Sequence, residues 1–446
     1  MNAENNIEAD LLIHAKWLIP VVPEGTVLED HCIAIRAKKI VAILHSDIAE
    51  KSVSAREIVR LMSHAIIPGL INAHGHSAMS LFRGIADDIP LKQWLEERIW
   101  PLESKFVNAR FVQQGASLAI AEMIRAGTTC FADMYFYPGE VAKSAIEANI
   151  RVQLASPILD FPTVWAQDAD EYIFKATVLH DDYRNSELVH TAFGPHAPYT
   201  VSDAPLQKLS MLAEELDIPI HMHVHETAQE VADAVKADGR RPLQRLAELG
   251  LVSPRLVCVH ATQLNEAEIA LLADYGAHVI HCPESNMKLA SGFCEVSKLA
   301  AKGVNVALGT DGSASNNDLD MFSEMRTAAL LAKAVANDAS TLPAQQALEM
   351  ATINGARALG MDSLIGSLET GKYADITAVN LDSLNSMPVY NPLSQLIYAT
   401  QASQVSHVWC AGELLLEEGE LKTLDSQLIK TTTRAWQKQI LEAQKA

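Results

Sequence analysis

The segment HMHVHET, residues 221–227, sets three histidines at alternate positions and follows them with an acid. The preceding IPI makes it read as the end of a buried strand, where alternation turns His221, His223 and His225 to one face. Imidazoles placed this way are either hydrogen-bonded core residues or metal ligands, and ligands need partners. The chain supplies them in NAHGHSAMS, with His74 and His76, and in LGTDGSASNND, with Asp311. Two histidines two residues apart share a face and chelate one ion where the strand end lets their rings converge. With a third histidine from the 221–225 run and the aspartate, they form a borderline-soft N/O set. Such a set suits zinc and is open to other divalent transition metals. A catalytic ion of this kind brings the pKa of a water down to about 7 and needs a carboxylate beside it to handle the proton.

These residues lie far apart in sequence, so elements must gather them. Eight apolar runs are strand candidates: AIIPGLINAHGH, TTCFADMY, IRVQLASPI, VHTAFGPH, IPIHMHVHE, RLVCVHAT, HVIHCPESN and NVALGTDG. Between them lie helix-like segments such as VNARFVQQGASLAIAEMIRAG and APLQKLSMLAEELD. Strand and helix alternating in this way predict a (β/α)8 TIM-like barrel, an α/β fold. Almost every run is apolar until its last residues, which carry polar groups, among them His74, His76, His196, His223 with Glu226, His260, His281 and Asp311. The C-terminal strand ends of such a barrel share one mouth, the usual seat of catalysis. Short strand-like segments before residue 65 and after residue 363 predict a small β-sandwich domain built from both ends of the chain. The expected division is therefore 1–65 and 363–446 for that domain, with a terminal amphipathic helix, and 66–362 for the barrel.

Composition narrows the chemistry. With 446 residues and 49% hydrophobic content, the chain can bury a barrel-sized core. A formal charge of -20 with no basic run repels phosphate backbones and argues against nucleic acid as a partner. The opening MNAENNIEAD lacks the basic and apolar regions of a signal peptide, and no apolar run has membrane-spanning length. Cys32, Cys130, Cys258, Cys282, Cys294 and Cys410 form no CxxC pair, which suits a reducing compartment. The expectation is a cytoplasmic protein with a small-molecule substrate and further copies of itself as partners.

PGLINAHGH, HMHVHE, VHAT, CPESNMKLASG and LGTDGSASNND together resemble the motifs of the amidohydrolase superfamily. SAMSLFRGIADDIPLKQWLEERIWPLE and GSLETGKYADITAVN extend the likeness to nearly the whole chain. Within the superfamily the chain resembles the 5-methylthioadenosine/S-adenosylhomocysteine deaminases. The resemblance implies one Zn2+ per subunit, held by His74, His76, His223 and Asp311, with His260 beside the attacking water. Two-metal members carry a carboxylated lysine at the end of the fourth strand; FGPHAPYT has His196 and no lysine there. Glu226, three residues after His223, matches the family's HxxE spacing and implies a proton shuttle to a ring nitrogen, with Asp311 as base. Substrate contacts are implied at Glu103, to the ribose hydroxyls, and at His196, with Trp94 or Trp100 walling the sugar. Ser156 is expected where some relatives place an arginine for the homocysteine carboxylate, with Phe161 and Trp165 lining an apolar slot nearby. His281 and Asn286 are expected behind the ligands or in the pocket wall, His221 in the core, and His225 beside the strand end. His64, His180 and His190 read as surface or strand-start residues without a role. The implied reaction is deamination of 5′-methylthioadenosine, with S-adenosylhomocysteine or adenosine as further substrates. A hydrolase of a free base or triazine and a non-catalytic scaffold are the other readings.

Overall fold

The computed structural model describes residues 7–445; the first residues of MNAENNIEAD lie outside them. The chain opens with β1 (Ile7–Leu18), β2 (Leu28–Arg36), β3 (Lys39–His45) and β4 (Val53–Pro68). It continues through β5 (Leu70–Asn72), β6 (Thr128–Asp133), β7 (Arg151–Ile158) and β8 (Val189–Pro195). Then follow β9 (Ile220–Val224), β10 (Leu256–His260), β11 (His278–His281) and β12 (Asn305–Leu308). Last come β13 (Ile376–Asn380), β14 (Val405–Cys410), β15 (Glu413–Glu417) and β16 (Glu420–Leu421).

Strands β5 to β12 pair in sequential order, all parallel, with helices between them. The ring closes where Ala73 donates its N–H to Leu308 O at 2.9 Å and Asp311 donates to His74 O at 3.0 Å. The expected (β/α)8 barrel is present. Alternation sorts its side chains: Val152, Leu154, Met222, Val224, Cys258 and Val306 face the helices. Ala73, Val257, Val259, Ile280 and Ala307 fill the interior. Ile71, Cys130 and Ala132 meet Ala356, Leu359 and Ile365 from the segment after β12, which plugs the floor.

The chain ends do share a second sheet, ordered β16-β15-β14-β13-β4-β1-β2-β3. Its hairpins use the punctuation visible in the sequence. Ala37 and Lys38 (φ 47 and 73), Ala411 and Gly412 (49 and 75), and Glu418 and Gly419 (49 and 82) form two-residue turns with positive φ throughout, matching the twist of the flanking strands. The terminal helix Ser426–Lys445 docks through Trp436, whose ring meets Phe111 edge-on at 5.2 Å and whose Nε1–H donates to Gln114 at 2.7 Å. The six cysteines are buried and unpaired. Among the described residues no helix is long and apolar enough to cross a membrane.

One expected strand divides. AIIPGLINAHGH does not run straight into the barrel: Ala65 to Pro68 pair with β13 in the terminal sheet, and only Leu70–Asn72 enters the ring. The chain crosses between sheets at Gly69, where an added Cβ would stand 2.0 Å from Thr129 Oγ1. Only glycine passes there.

Below the floor, Arg151 joins the two sheets. Its side chain is fully buried, its Nε lies 3.3 Å from Asp375 Oδ2, and its guanidinium stacks 4.9 Å from the Tyr373 ring centre. Asp375 Oδ1 also accepts the Ala411 N–H at 2.7 Å. A buried ion pair adds little over an apolar replacement, but removing one partner strands the other charge, at a cost of about 3–5 kcal/mol. Arg151→Met is therefore expected to lower unfolding free energy by that amount in urea titrations, and Arg151→Met with Asp375→Leu to recover most of it. A single variant within 1 kcal/mol of wild type, on the order of an exposed pair, would refute the role of this joint.

Candidate active site

The barrel mouth gathers side chains from seven of the eight strand ends, and the backbone does part of the aiming. His221 and His223 share the inward face of β9, opposite Met222 and Val224. His225 does not join them. Its φ of 55 breaks the alternation and turns the ring out toward the 241–243 segment. The same device works in reverse at His260: Leu256 and Cys258 face the helices, so parity alone would send His260 outward, and φ 72 brings it into the mouth. Asp311, with φ 64, is a third such residue. Left-handed backbone at a side chain of this kind costs about 1–3 kcal/mol and persists where the surroundings over-determine it. Gly309 lets β12 close against β5, since a Cβ there would stand 2.7 Å from His74 N.

At the centre, Asp311 Oδ1 lies 3.4 Å from His74 Nε2 and 3.2 Å from His76 Nε2, and His223 Nε2 lies 3.3 Å from His74 Nε2. The ligand-capable atoms of His74, His76 and Asp311 fall within 4.8 Å of one another, as do those of His74, His223 and His260. The far nitrogen of each ring is engaged. Nδ1–H of His76 donates to Met134 O at 2.7 Å, that of His223 to His196 O at 2.7 Å, and that of His260 to Asn286 Oδ1 at 2.8 Å. His74 Nδ1 shares a hydrogen bond of 2.9 Å with His221 Nε2. Carbonyl acceptors require Nδ1–H, so Nε2 of those rings presents a lone pair to the common centre. Lone pairs and a carboxylate converging in a buried place fit a cation such as zinc.

The electrostatics agree. Burial pushes the His74 imidazole down to about 4 and His223 well below its ordinary value, keeping both neutral. At His76 burial also lowers the pKa, but Asp311 outweighs it and lifts the ring to about 9, so the centre calls for positive charge. Asp311 Oδ2 accepts the Ser285 hydroxyl at 2.6 Å and the Ser315 hydroxyl at 3.0 Å, while Oδ1 accepts Gly312 N–H at 2.8 Å. Burial would raise its pKa, yet His74 and His76 hold it well below the carboxylate range.

A cavity of about 320 Å³ opens above this centre. His196, Glu226 and His260 line its floor, and the helical stretch 91–106 covers it with Trp94, Trp100 and Glu103. Glu103 Oε1 accepts the Tyr135 hydroxyl at 2.7 Å, and burial pushes the Glu103 carboxyl up to about 7. Burial also raises Glu226, whose Oε1 stands 3.9 Å from His260 Nε2. No lysine or arginine lines the cavity among the described residues.

Most expected residues thus meet: His74, His76, His196, His223, Glu226, His260 and Asp311 at the centre, Glu103 with both tryptophans above it. Asn286 stands behind His260, and His221 is a hydrogen-bonded core histidine, as expected. Ser156 is a correction. It shares the parity of Val152, Leu154 and Ile158, so it points to the helix layer and does not line the cavity; Pro157 and Leu159 do. His281, in step with Val279, likewise faces the helices beside Cys294 and Leu331. Phe161 lines the cavity but Trp165 does not, packing instead on Tyr172 at 5.6 Å. His64 is no surface residue: it is 7% exposed within β4, its ring 6.4 Å from His407. Tyr135, Ser285 and Ser315 went unread. The last two stand inside the quoted CPESN and TDGSAS motifs, which offered a signal; Tyr135, just past β6, offered only its place near a strand end.

Residues 65–415 match the amidohydrolase family. A 5-methylthioadenosine/S-adenosylhomocysteine deaminase of Saccharophagus degradans is 51% identical, covering 99% of this chain and 99% of that one. A 5′-deoxyadenosine deaminase of Methanothermobacter thermautotrophicus is 42% identical over 83% of this chain and 86% of its own length. Among solved structures, an adenosine deaminase of Xanthomonas campestris with bound zinc superposes with a TM-score of 0.97 at 50% identity, covering 98% of this chain and 100% of that one. The barrel, its mouth and these end-to-end likenesses agree that the chain belongs to the amidohydrolase family.

Proposed function

We propose that the chain is a zinc-dependent aminohydrolase that exchanges the adenine 6-amino group of 5′-methylthioadenosine for oxygen, yielding the inosine analogue and ammonia. S-Adenosylhomocysteine and adenosine are further substrates. The observation that carries this reading is Glu226. Its side chain is 12% exposed, lifted in pKa by desolvation, free of hydrogen-bond partners among the described residues, and placed at the cavity floor beside His260. An acid so placed suits a ring nitrogen, and the relatives named above act on adenine nucleosides.

His74, His76, His223 and Asp311 would hold the zinc. When bound, zinc supplies Lewis acidity that brings the pKa of a water down to about 7. Asp311 takes the attacking water's proton and returns it to the departing amine. His260, its Nδ1–H spent on Asn286, offers the Nε2 lone pair to orient the water. Glu226 donates its proton to N1, which offsets part of the cost of breaking the aromatic ring at C6. It recovers a proton from the C6 hydroxyl as the carbonyl forms and the C6–N6 bond breaks. Glu103, oriented by Tyr135, accepts the ribose hydroxyls. The buried, unpaired cysteines support a reducing cytoplasm as the setting.

Three outcomes test this reading. Elemental analysis of the purified protein is expected to give one zinc per chain, and Glu226→Gln and Asp311→Asn to lose about 100-fold or more in ammonia release from 5′-methylthioadenosine. Two tightly held ions per chain, or near wild-type turnover in either variant, would sink the mechanism. Glu103→Ala is expected to cost about 1.5–3 kcal/mol in kcat/KM on nucleosides and nothing on free adenine; equal losses on adenosine and adenine would remove Glu103 from ribose recognition. Because no lysine or arginine lines the cavity among the described residues, and Pro157, Leu159 and Phe161 line it at and past the end of β7, 5′-methylthioadenosine is expected to exceed S-adenosylhomocysteine in kcat/KM. The reverse order refutes that preference.

A further inference from the structure

Glu226 and Asp311 are held by opposite means. Asp311 is gripped at its carboxylate by Ser285, Ser315 and Gly312 N–H. The Glu226 carboxylate has no hydrogen-bond partner among the described residues, so only its backbone fixes where it stands. That backbone is bound on both sides. Glu230, one turn into the following helix Ala228–Asp238, accepts the N–H of Glu226 at 2.7 Å and that of His225 at 3.2 Å. The Thr262 hydroxyl donates to Glu226 O at 2.7 Å, and Thr262 N–H donates to His225 O at 3.0 Å.

The remaining tie is the His225 ring, fully buried and turned out of the mouth by its positive φ. Its Nε2 accepts the N–H of Leu243, a first-turn amide of helix Pro242–Glu248 that has no partner within that helix. Its Nδ1–H faces Gln263 O at 3.3 Å. One imidazole thus bridges two separate loops, one of them carrying Thr262. Beside it, Arg241 and Glu268 pair at 2.7 Å and close the same joint.

We propose that His225 and Glu230 are positioning residues that aim Glu226 at the substrate's ring nitrogen. The inference rests on the aminohydrolase reading, in which Glu226 supplies that proton. Neither residue lines the cavity, so each acts through Glu226. Displacing an acid by about 1 Å can cost on the order of 100-fold.

The test is a double-variant cycle on the full-length zinc protein, reading ammonia release from 5′-methylthioadenosine. His225→Ala and Glu230→Ala are each expected to lower kcat by about 10- to 100-fold, with KM and zinc content unchanged. In a Glu226→Gln background the same substitutions should cost almost nothing, because the proton they aim is gone. His225→Gln should restore much of the rate, since its amide offers an acceptor to Leu243 and a donor to Gln263. Equal losses in both backgrounds overturn the proposal. So does loss of zinc or of the folded circular-dichroism spectrum in both His225→Ala and His225→Gln, which assigns the ring to general stability. A wild-type protein that releases no ammonia from any adenosine derivative overturns the aminohydrolase reading as well, a result distinct from an additive cycle in an active enzyme.

Discussion

The site depends on hydrogen bonds made behind its ligands. Each imidazole has two nitrogens, and a carbonyl that accepts Nδ1–H decides that Nε2 is the lone pair. Met134, His196 and Asn286 make that decision for His76, His223 and His260, and His221 completes the set behind His74. Two of these acceptors are backbone carbonyls, so the strand ends themselves orient the rings. If any ring reversed, an N–H would point into a centre built to receive positive charge.

The carboxylates of Asp311 and Glu226 diverge through their surroundings. Asp311 sits among imidazoles and three donors, which favour its charged form despite burial. Glu226, three residues beyond His223, has no side-chain hydrogen-bond donor among the described residues, and burial raises its pKa. Two carboxyl groups in one mouth are thus shifted in opposite directions, the pattern that separates an acid from a base where both roles are needed. Hydroxyl donors like those on Asp311 would stabilise the Glu226 carboxylate and work against the upward shift that burial imposes.

Much of this was legible in the sequence because a barrel strand is a period-two object. Apolar runs ending in His, Asp or Glu located the mouth, and alternation correctly paired His221 with His223. What the period could not reveal lies where the backbone leaves the β region. Positive φ sends His225 out and brings His260 in, and no composition rule announces either. Ser156 shows the complementary limit: its distance along the strand was right, and its parity was wrong, so the residues on the cavity are its neighbours. The hydroxyl contacts of Tyr135, Ser285 and Ser315 join residues distant in sequence, and serine and tyrosine serve many ends besides. The division of the first expected strand at Gly69 depends on Thr129 crowding it from β6, a tertiary fact.

The crossing at Gly69 also bears on how the molecule assembles. β4 belongs to the terminal sheet and pairs with β13, which follows only after the whole barrel has been threaded between them. Closing a loop of that length from an unstructured chain is entropically unfavourable, whereas a formed barrel already holds its two ends close together. The ring should therefore mature first, with the β4–β13 ladder completed afterwards as a clasp. On a ribosome the first strands of the terminal sheet emerge long before their partners, so the β1–β4 segment must wait with an open edge at β4. The barrel is in this sense an insertion within a sheet, and its completion is what allows the sheet's two halves to meet.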